Sequence, residues 1–175
     1  MTTLNPPPDA HDHAQGPDHA PITLTEYGDF QCPDCGDAYP MVKQLQREFG
    51  ARLRFVYRSF PLNDIHPCAE HAAEAAEAAG AQGMFWPMHD TLYAHQHALH
   101  DPQLAQYAQQ AGADPAAVTR ALADGTFAAR VGEDLKSGER SGVQGTPTFY
   151  INGVRFDGDW SSGELEAALR DAGAR

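Results

Sequence analysis

Positive charge is scarce in this sequence. Of its 175 residues, 12 are lysine or arginine against 24 aspartates and glutamates, giving a formal charge of −12. Lysine occurs only at Lys43 and Lys136. Such a balance repels phosphate backbones and anionic lipid, so nucleic acid and membrane surfaces are set aside as partners. Long apolar runs are missing too, and none approaches the roughly 20 residues that a bilayer crossing needs. Residues 1–20, MTTLNPPPDAHDHAQGPDHA, have neither the basic start nor the apolar stretch of an export or transit signal. A cytoplasmic protein is the resulting expectation. Cysteine is sparse as well, at Cys32, Cys35 and Cys68. Three cysteines make no disulfide framework for a chain of this length, and an odd number suits a reducing compartment.

What is present suffices for a folded core. Hydrophobic residues make up 42% of the chain, and its length fits one domain with room for an insertion. The first 20 residues hold three consecutive prolines and little apolar surface. They are expected to form a disordered tail, with His11, His13 and His19 solvated rather than bound to a metal. From Ile22 to Tyr27 apolar and polar residues alternate, as in a strand. Ala38, Val42, Leu45 and Phe49 then form a helical stripe that closes at Gly50, with Pro40 expected to kink it. Arg52 to Tyr57 alternates again. A right-handed crossover makes these two strands parallel.

The next stretch changes character. An alanine-rich helix is predicted from Pro67 to Ala79, and a second over Phe85–Leu99 with Phe85, Met88, Leu92 and Tyr93 on one face. Asp101-Pro102 and Asp114-Pro115 each read as an N-cap followed by proline, and a last helix carries Phe127, Val131 and Leu135. Strands return at Thr148–Ile151 and Val154–Phe156, joined by a turn at Asn152-Gly153. Ser161 and Glu164 have the spacing of a capping box for a final helix. Residues 21–66 and 141–175 thus form an α/β core interrupted by a helical insertion, 67–140.

The chemistry concentrates in Cys32-Pro33-Asp34-Cys35. Two cysteines one helical turn apart can form a reversible disulfide. Pro33 suits the first helical position, which puts Cys32 beside the N-cap, where free amides and the helix dipole favour a thiolate. Cys32 is the expected nucleophile, and Cys35, one turn inside, the expected resolving thiol. Gly145-Thr146-Pro147-Thr148 precedes a strand, a natural place for a cis proline that leaves the Thr146 backbone facing the disulfide. Glu26, on the strand before the motif, is expected beneath the helix, with its pKa raised by desolvation and within reach of the Cys35 proton.

Over roughly residues 20–172 the sequence resembles the DsbA-like branch of thioredoxin-fold proteins, in the subgroup with a compact helical insertion. The resemblance rests on Glu26-Tyr27-Gly28-Asp29-Phe30-Gln31-Cys32-Pro33-x-Cys35, on Gln82-Gly83-Met84-Phe85-Trp86-x-Met88-His89-Asp90, and on Gly145-Thr146-Pro147-Thr148-Phe149. It implies a thioredoxin fold in the order βαβ, helical insertion, ββα. It also implies Cys32 as attacking thiolate, Cys35 as its disulfide partner, Glu26 as buried acid and Pro147 as the cis-proline facing them. Asp34 departs from the family's namesake, which has histidine there. A carboxylate about 6 Å from the sulfur costs a thiolate about 0.7–3 kcal/mol, which would bias the couple toward a reductant.

The implied activity is thiol–disulfide exchange with protein or small-thiol partners and an unidentified electron donor or acceptor. It needs no cofactor beyond the Cys32–Cys35 pair and no metal. Other readings are a glutathione-linked enzyme, whose relatives typically lack the second cysteine, and a non-catalytic redox sensor. C-x-x-C is also half a zinc site, with Cys68 as a conceivable third ligand, although paired C-x-x-C motifs are the usual form. Cys68 by itself reads more simply as a small buried hydrophobe.

Overall fold

A computed structural model describes residues 1–174. Its centre is a five-stranded sheet in the order β1 (His13–Gln15), β3 (Leu53–Ser59), β2 (Ile22–Gly28), β4 (Thr148–Ile151) and β5 (Val154–Arg155). Strand β2, Ile22–Gly28, lies parallel to β3, Leu53–Ser59, with Glu26 opposite Tyr57. The helix between them, α1, spans Pro33–Phe49 as one element with Pro40 inside it, and Gly50 follows at φ 52°. Strand β4, Thr148–Ile151, runs antiparallel to β2 and turns into β5, Val154–Arg155. Asn152 and Gly153 join them with φ of 49° and 80°, the left-handed pair that a type I′ turn demands.

Five helices lie between β3 and β4: α2 Ala69–Gly80, α3 Phe85–Ala94, α4 Asp101–Gln110, α5 Pro115–Asp124 and α6 Ala128–Arg140. The last helix, α7, is Glu164–Gly173. Asp114 caps α5 by accepting the Ala116 N–H. Among the described residues no helix is long and apolar enough to cross a membrane.

The side-chain period of two divides β2 between two cores. Ile22 and Leu24 join Phe55, Ala38, Val42, Leu165 and the insertion's Met88, Leu92 and Leu104 in the larger cluster. Tyr27 points the other way, into a smaller cluster with Leu4, Phe60, Val143 and Tyr150. Gly138 of α6 lets that helix close on the smaller cluster, because a Cβ there would stand 2.5 Å from the Phe60 ring. Glu26 shares the face of Ile22 and Leu24, which is the face α1 covers.

The main correction concerns residues 1–20, which are ordered. His13–Gln15 forms β1 and pairs antiparallel with β3. Thr3 bridges Val154, and Leu4 is buried. Arg58 donates from Nε and Nη2 to the two carboxylate oxygens of Asp12 at 2.8 and 2.9 Å, with both side chains nearly sealed from solvent. His13 stacks on Phe85 at 3.5 Å and hydrogen-bonds the buried Glu77. Composition missed this because polar partners and a free sheet edge, rather than apolar area, hold the segment down.

Three smaller corrections follow from local hydrogen bonding. Helix α3 ends at Ala94 instead of reaching Leu99, and the chain turns back through His95 and Gln96. His100 takes the N-cap place of α4, so Asp101 is already helical. Ser161 does not cap α7: its N–H and hydroxyl donate to Asp159, which closes a short 3₁₀ turn before Gly163.

Candidate active site

Cys32 occupies the N-cap of α1 with extended backbone (φ −69°, ψ 123°), Pro33 begins the helix, and Cys35 lies one turn in. Both thiols are free, and both are buried, Cys35 completely and Cys32 to 5% exposure. The start of α1 is held from both sides. Asp29 accepts the Gln31 N–H at 2.8 Å and the Leu62 N–H at 3.0 Å, and its carboxylate meets His66 Nδ1 at 2.7 Å. Gln96, delivered by the early end of α3, donates to the carbonyls of Phe30 and Cys32. Gly36 makes room for it, since a Cβ there would collide with the Gln96 amide.

The Cys32 thiol donates to the Thr146 carbonyl at 3.4 Å, and the Thr146–Pro147 peptide bond is cis. The Cys32 pKa is lowered to about 6. The Cys35 thiol does most of this by hydrogen-bonding the thiolate; burial opposes it, while the Thr146 side chain and the backbone N–H groups of Cys35 and Asp34 add to it. Cys35 moves the other way, well above an ordinary thiol, because burial disfavours its charge and its proton is engaged with Cys32. Asp34 is exposed, and it reaches Cys32 through its N–H rather than its carboxylate. Hydrogen bonding and burial, rather than the Asp34 carboxylate, are the leading influences on the Cys32 thiol.

Glu26 is 4% exposed, and burial first, then the charge of Cys32, raises its pKa to about 8. Around it stand groups that the sequence marked only as strand and helix-face residues, above all Tyr57 and Tyr93, whose hydroxyls meet at 2.9 Å. Asp29 carried a local signal, a carboxylate two residues before the amide it accepts. Gln96 and the tyrosine pair carried none, since tertiary placement alone brings them to the motif. Cys68 stands apart at the start of α2, with Sγ 3.7 Å from His100 Nδ1 and its N–H on the Gln31 side chain. Among the described residues no group of three or more His, Cys, Asp or Glu side chains is placed to hold a metal ion.

A sheet with a thiol pair at the first turn of its crossover helix, and a helical block between β3 and β4, defines a thioredoxin-fold chain. A family model described as Thioredoxin matches residues 9–171, and the chain belongs to that family. It is similar to a protein named Na(+)/H(+) antiporter NhaA 1 of Salinispora arenicola, at 48% identity over 161 residues, covering 92% of this chain and 24% of that protein. A Herminiimonas arsenicoxydans protein named Na(+)/H(+) antiporter NhaA is 42% identical over 170 residues, covering 95% of this chain and 26% of its own length. The chain therefore spans about a quarter of the curated relatives it matches. Among solved structures, BdbD from Bacillus subtilis superposes with a TM-score of 0.86 at 22% identity, covering 94% of each chain. A thioredoxin-like oxidoreductase from Silicibacter pomeroyi gives 0.81 at 24% identity, covering 95% of each. The thiol-disulfide exchange protein alpha-DsbA2 from Wolbachia pipientis gives 0.76 at 18% identity, covering 93% of this chain and 88% of its own. At these identities the likeness is one of fold.

Proposed function

We propose that this chain is a thiol–disulfide oxidoreductase acting on disulfides of proteins or small thiols. The observation that carries the reading is the placement of two free thiols three positions apart, Cys32 at the N-cap of α1 against the Thr146 carbonyl and Cys35 fully buried one turn in. That placement lowers the Cys32 pKa to about 6 and holds Cys35 well above the ordinary value. At neutral pH Cys32 is mostly thiolate while Cys35 keeps its proton, as a nucleophile and a resolving thiol require. Cys32 sulfur attacks a substrate disulfide, one substrate sulfur leaves with the bonding pair, and a mixed disulfide forms. Cys35 then attacks Cys32 sulfur, releasing the second substrate sulfur as thiolate, and the Cys35 proton passes to Glu26 in the fraction of molecules whose Glu26 carboxyl is ionised, a fraction that grows as pH approaches 8. The Thr146 carbonyl, freed when Cys32 loses its proton, is positioned to accept an N–H from substrate backbone beside the sulfur.

The test is catalytic reduction of insulin by the dithiothreitol-reduced protein. Wild type should turn over, Cys32→Ser should be inactive, and Cys35→Ser should accumulate a mixed disulfide. A wild type no faster than dithiothreitol alone would sink the proposal.

A further inference from the structure

The turn between α3 and α4 reaches the redox helix with one side chain, Gln96. Its amide nitrogen donates to the Phe30 carbonyl at 3.0 Å and to the Cys32 carbonyl at 2.8 Å. Both partners only accept, so both N–H hydrogens of the amide go to the carbonyls on either side of Gln31. The amide oxygen faces the other way, toward Gly36 of α1. A Cβ at Gly36 would collide with that oxygen, and the three atoms nearest to it would all belong to Gln96. Glycine inside a helix is weaker than alanine, so this position gives up helix strength to make room for the amide.

The turn that carries Gln96 is itself braced. The His95 ring stacks on Tyr107 of α4 at 4.6 Å, and its Nδ1 lies 2.9 Å from the Thr91 carbonyl of α3. The Tyr107 hydroxyl donates to the Ala98 carbonyl at 2.8 Å and ties the turn down from the far side. On the receiving side, the Cys32 carbonyl also accepts the Gly36 N–H at 3.1 Å, where the hydrogen bonding of α1 begins. Gln96 therefore grips the carbonyl from which α1 starts. The Asp34 and Cys35 amides that hydrogen-bond the Cys32 sulfur belong to that same first turn. The titratable groups that feel the Cys32 charge are Cys35 and, from β2, Glu26, and a neutral substitution of Gln96 leaves both in place.

We propose that Gln96 is a positioning residue for Cys32: it ties the helical insertion to the first turn of α1 and keeps the Asp34 and Cys35 amides aimed at the sulfur. This rests on the oxidoreductase reading and gives the insertion a part in preparing the nucleophile. An amide favours the thiolate only while its N–H points at the sulfur, and a loosened turn spends less time in that geometry. Gln96 touches no reacting atom and carries no proton. Its removal leaves the exchange steps as they are and lowers the share of Cys32 that stands ready as thiolate. The loss is partial, because the Cys35 thiol and Thr146 continue to act on the sulfur.

The test is the pH dependence of Cys32 alkylation by iodoacetamide in the reduced protein, read by peptide mapping. Gln96→Met keeps the length of the side chain and removes its donors, and it should raise the Cys32 midpoint by about half a pH unit. Alkylation should then slow about threefold at pH 5 and hardly change at pH 8, where both proteins are thiolate. Gly36→Ala should raise the midpoint likewise by displacing the amide, and it serves if Gln96→Met does not fold. In a Gln96→Ala background the same Gly36→Ala should leave the midpoint alone and raise the urea midpoint, alanine being the better helix former. A Cys32 midpoint unchanged or lowered in a folded variant, whatever its urea stability, overturns the inference and leaves Gln96 a packing residue. An equal shift from Gly36→Ala with and without Gln96 also overturns it. Alkylation needs no turnover, so a protein inactive toward insulin would lose the proposed activity and still answer for Gln96. An active protein whose midpoint ignores Gln96 would keep the activity and lose the inference.

Discussion

The ionisation of Cys32 and Cys35 follows from which sulfur owns the shared hydrogen bond. Cys32 receives the Cys35 proton and the amides of the first helical turn, whereas Cys35 receives burial. Iodoacetamide should therefore label Cys32 with a pH midpoint near 6 and leave Cys35 untouched at neutral pH, as peptide mapping would read. Equal labelling would contradict the assignment. Asp34 should matter less than its sign suggests, because water screens an exposed carboxylate. Asp34→His is expected to raise the potential of the couple in glutathione buffers by at most about 30 mV. Glu26 links the site to stability. Its folded-state pKa of about 8 lies above the ordinary carboxyl value of 4.5, so the folded state binds the extra proton between those values. The stabilising share of that proton is complete below about pH 4.5 and lost as pH rises through 8. Glu26→Gln should accordingly gain about 2–4 kcal/mol on the wild type between pH 5 and pH 9, measured by urea unfolding of the reduced proteins.

Elements with a clean period were legible in the sequence, and those held by distant polar partners were not. Strand β2 and helix α1 announced themselves through alternation, the apolar stripe and Pro33, because burial on one face writes a pattern into neighbouring residues. Strand β1 wrote none. His13–Gln15 is short and polar, and its reasons for order are the edge of β3, Glu77 and Phe85, all more than 35 positions away. The same holds for Gln96, which only a turn after α3 brings beneath Cys32. Asp12 shows what such placement is worth. Asp12→Ala would leave Arg58 buried without its carboxylate, a loss of about 3–5 kcal/mol that the urea midpoint should report. Replacing Asp18, whose exposed carboxylate stands 3.7 Å from Arg54, should cost less than about 1 kcal/mol.

At the scale of the whole molecule, the three motifs that looked separate in the sequence converge on one end of the sheet. The thiol pair comes from α1, the Thr146 carbonyl from the approach to β4, and the aromatic segment around His89 from the insertion. The insertion's role in shaping that end was legible only as a resemblance, because helix packing depends on contacts that no local period encodes. Gly28 illustrates the limit: it reads as the end of a strand, yet its missing Cβ is what admits the Tyr57 ring.

The opening segment has a consequence for how the molecule meets others. Residues 13–15 lie along the outer edge of β3, while Thr2 and Leu4 hydrogen-bond the outer edge of β5 through Arg155 and Gly153. One stretch of chain thus covers part of both rims of the sheet, short edge pieces of the kind that blunt strand addition. Removing residues 1–15 should uncover both rims together, and the shortened protein should self-associate with rising concentration, as light scattering would detect, even where it stays folded. A shortened protein that remains monomeric would mean that other features guard those rims.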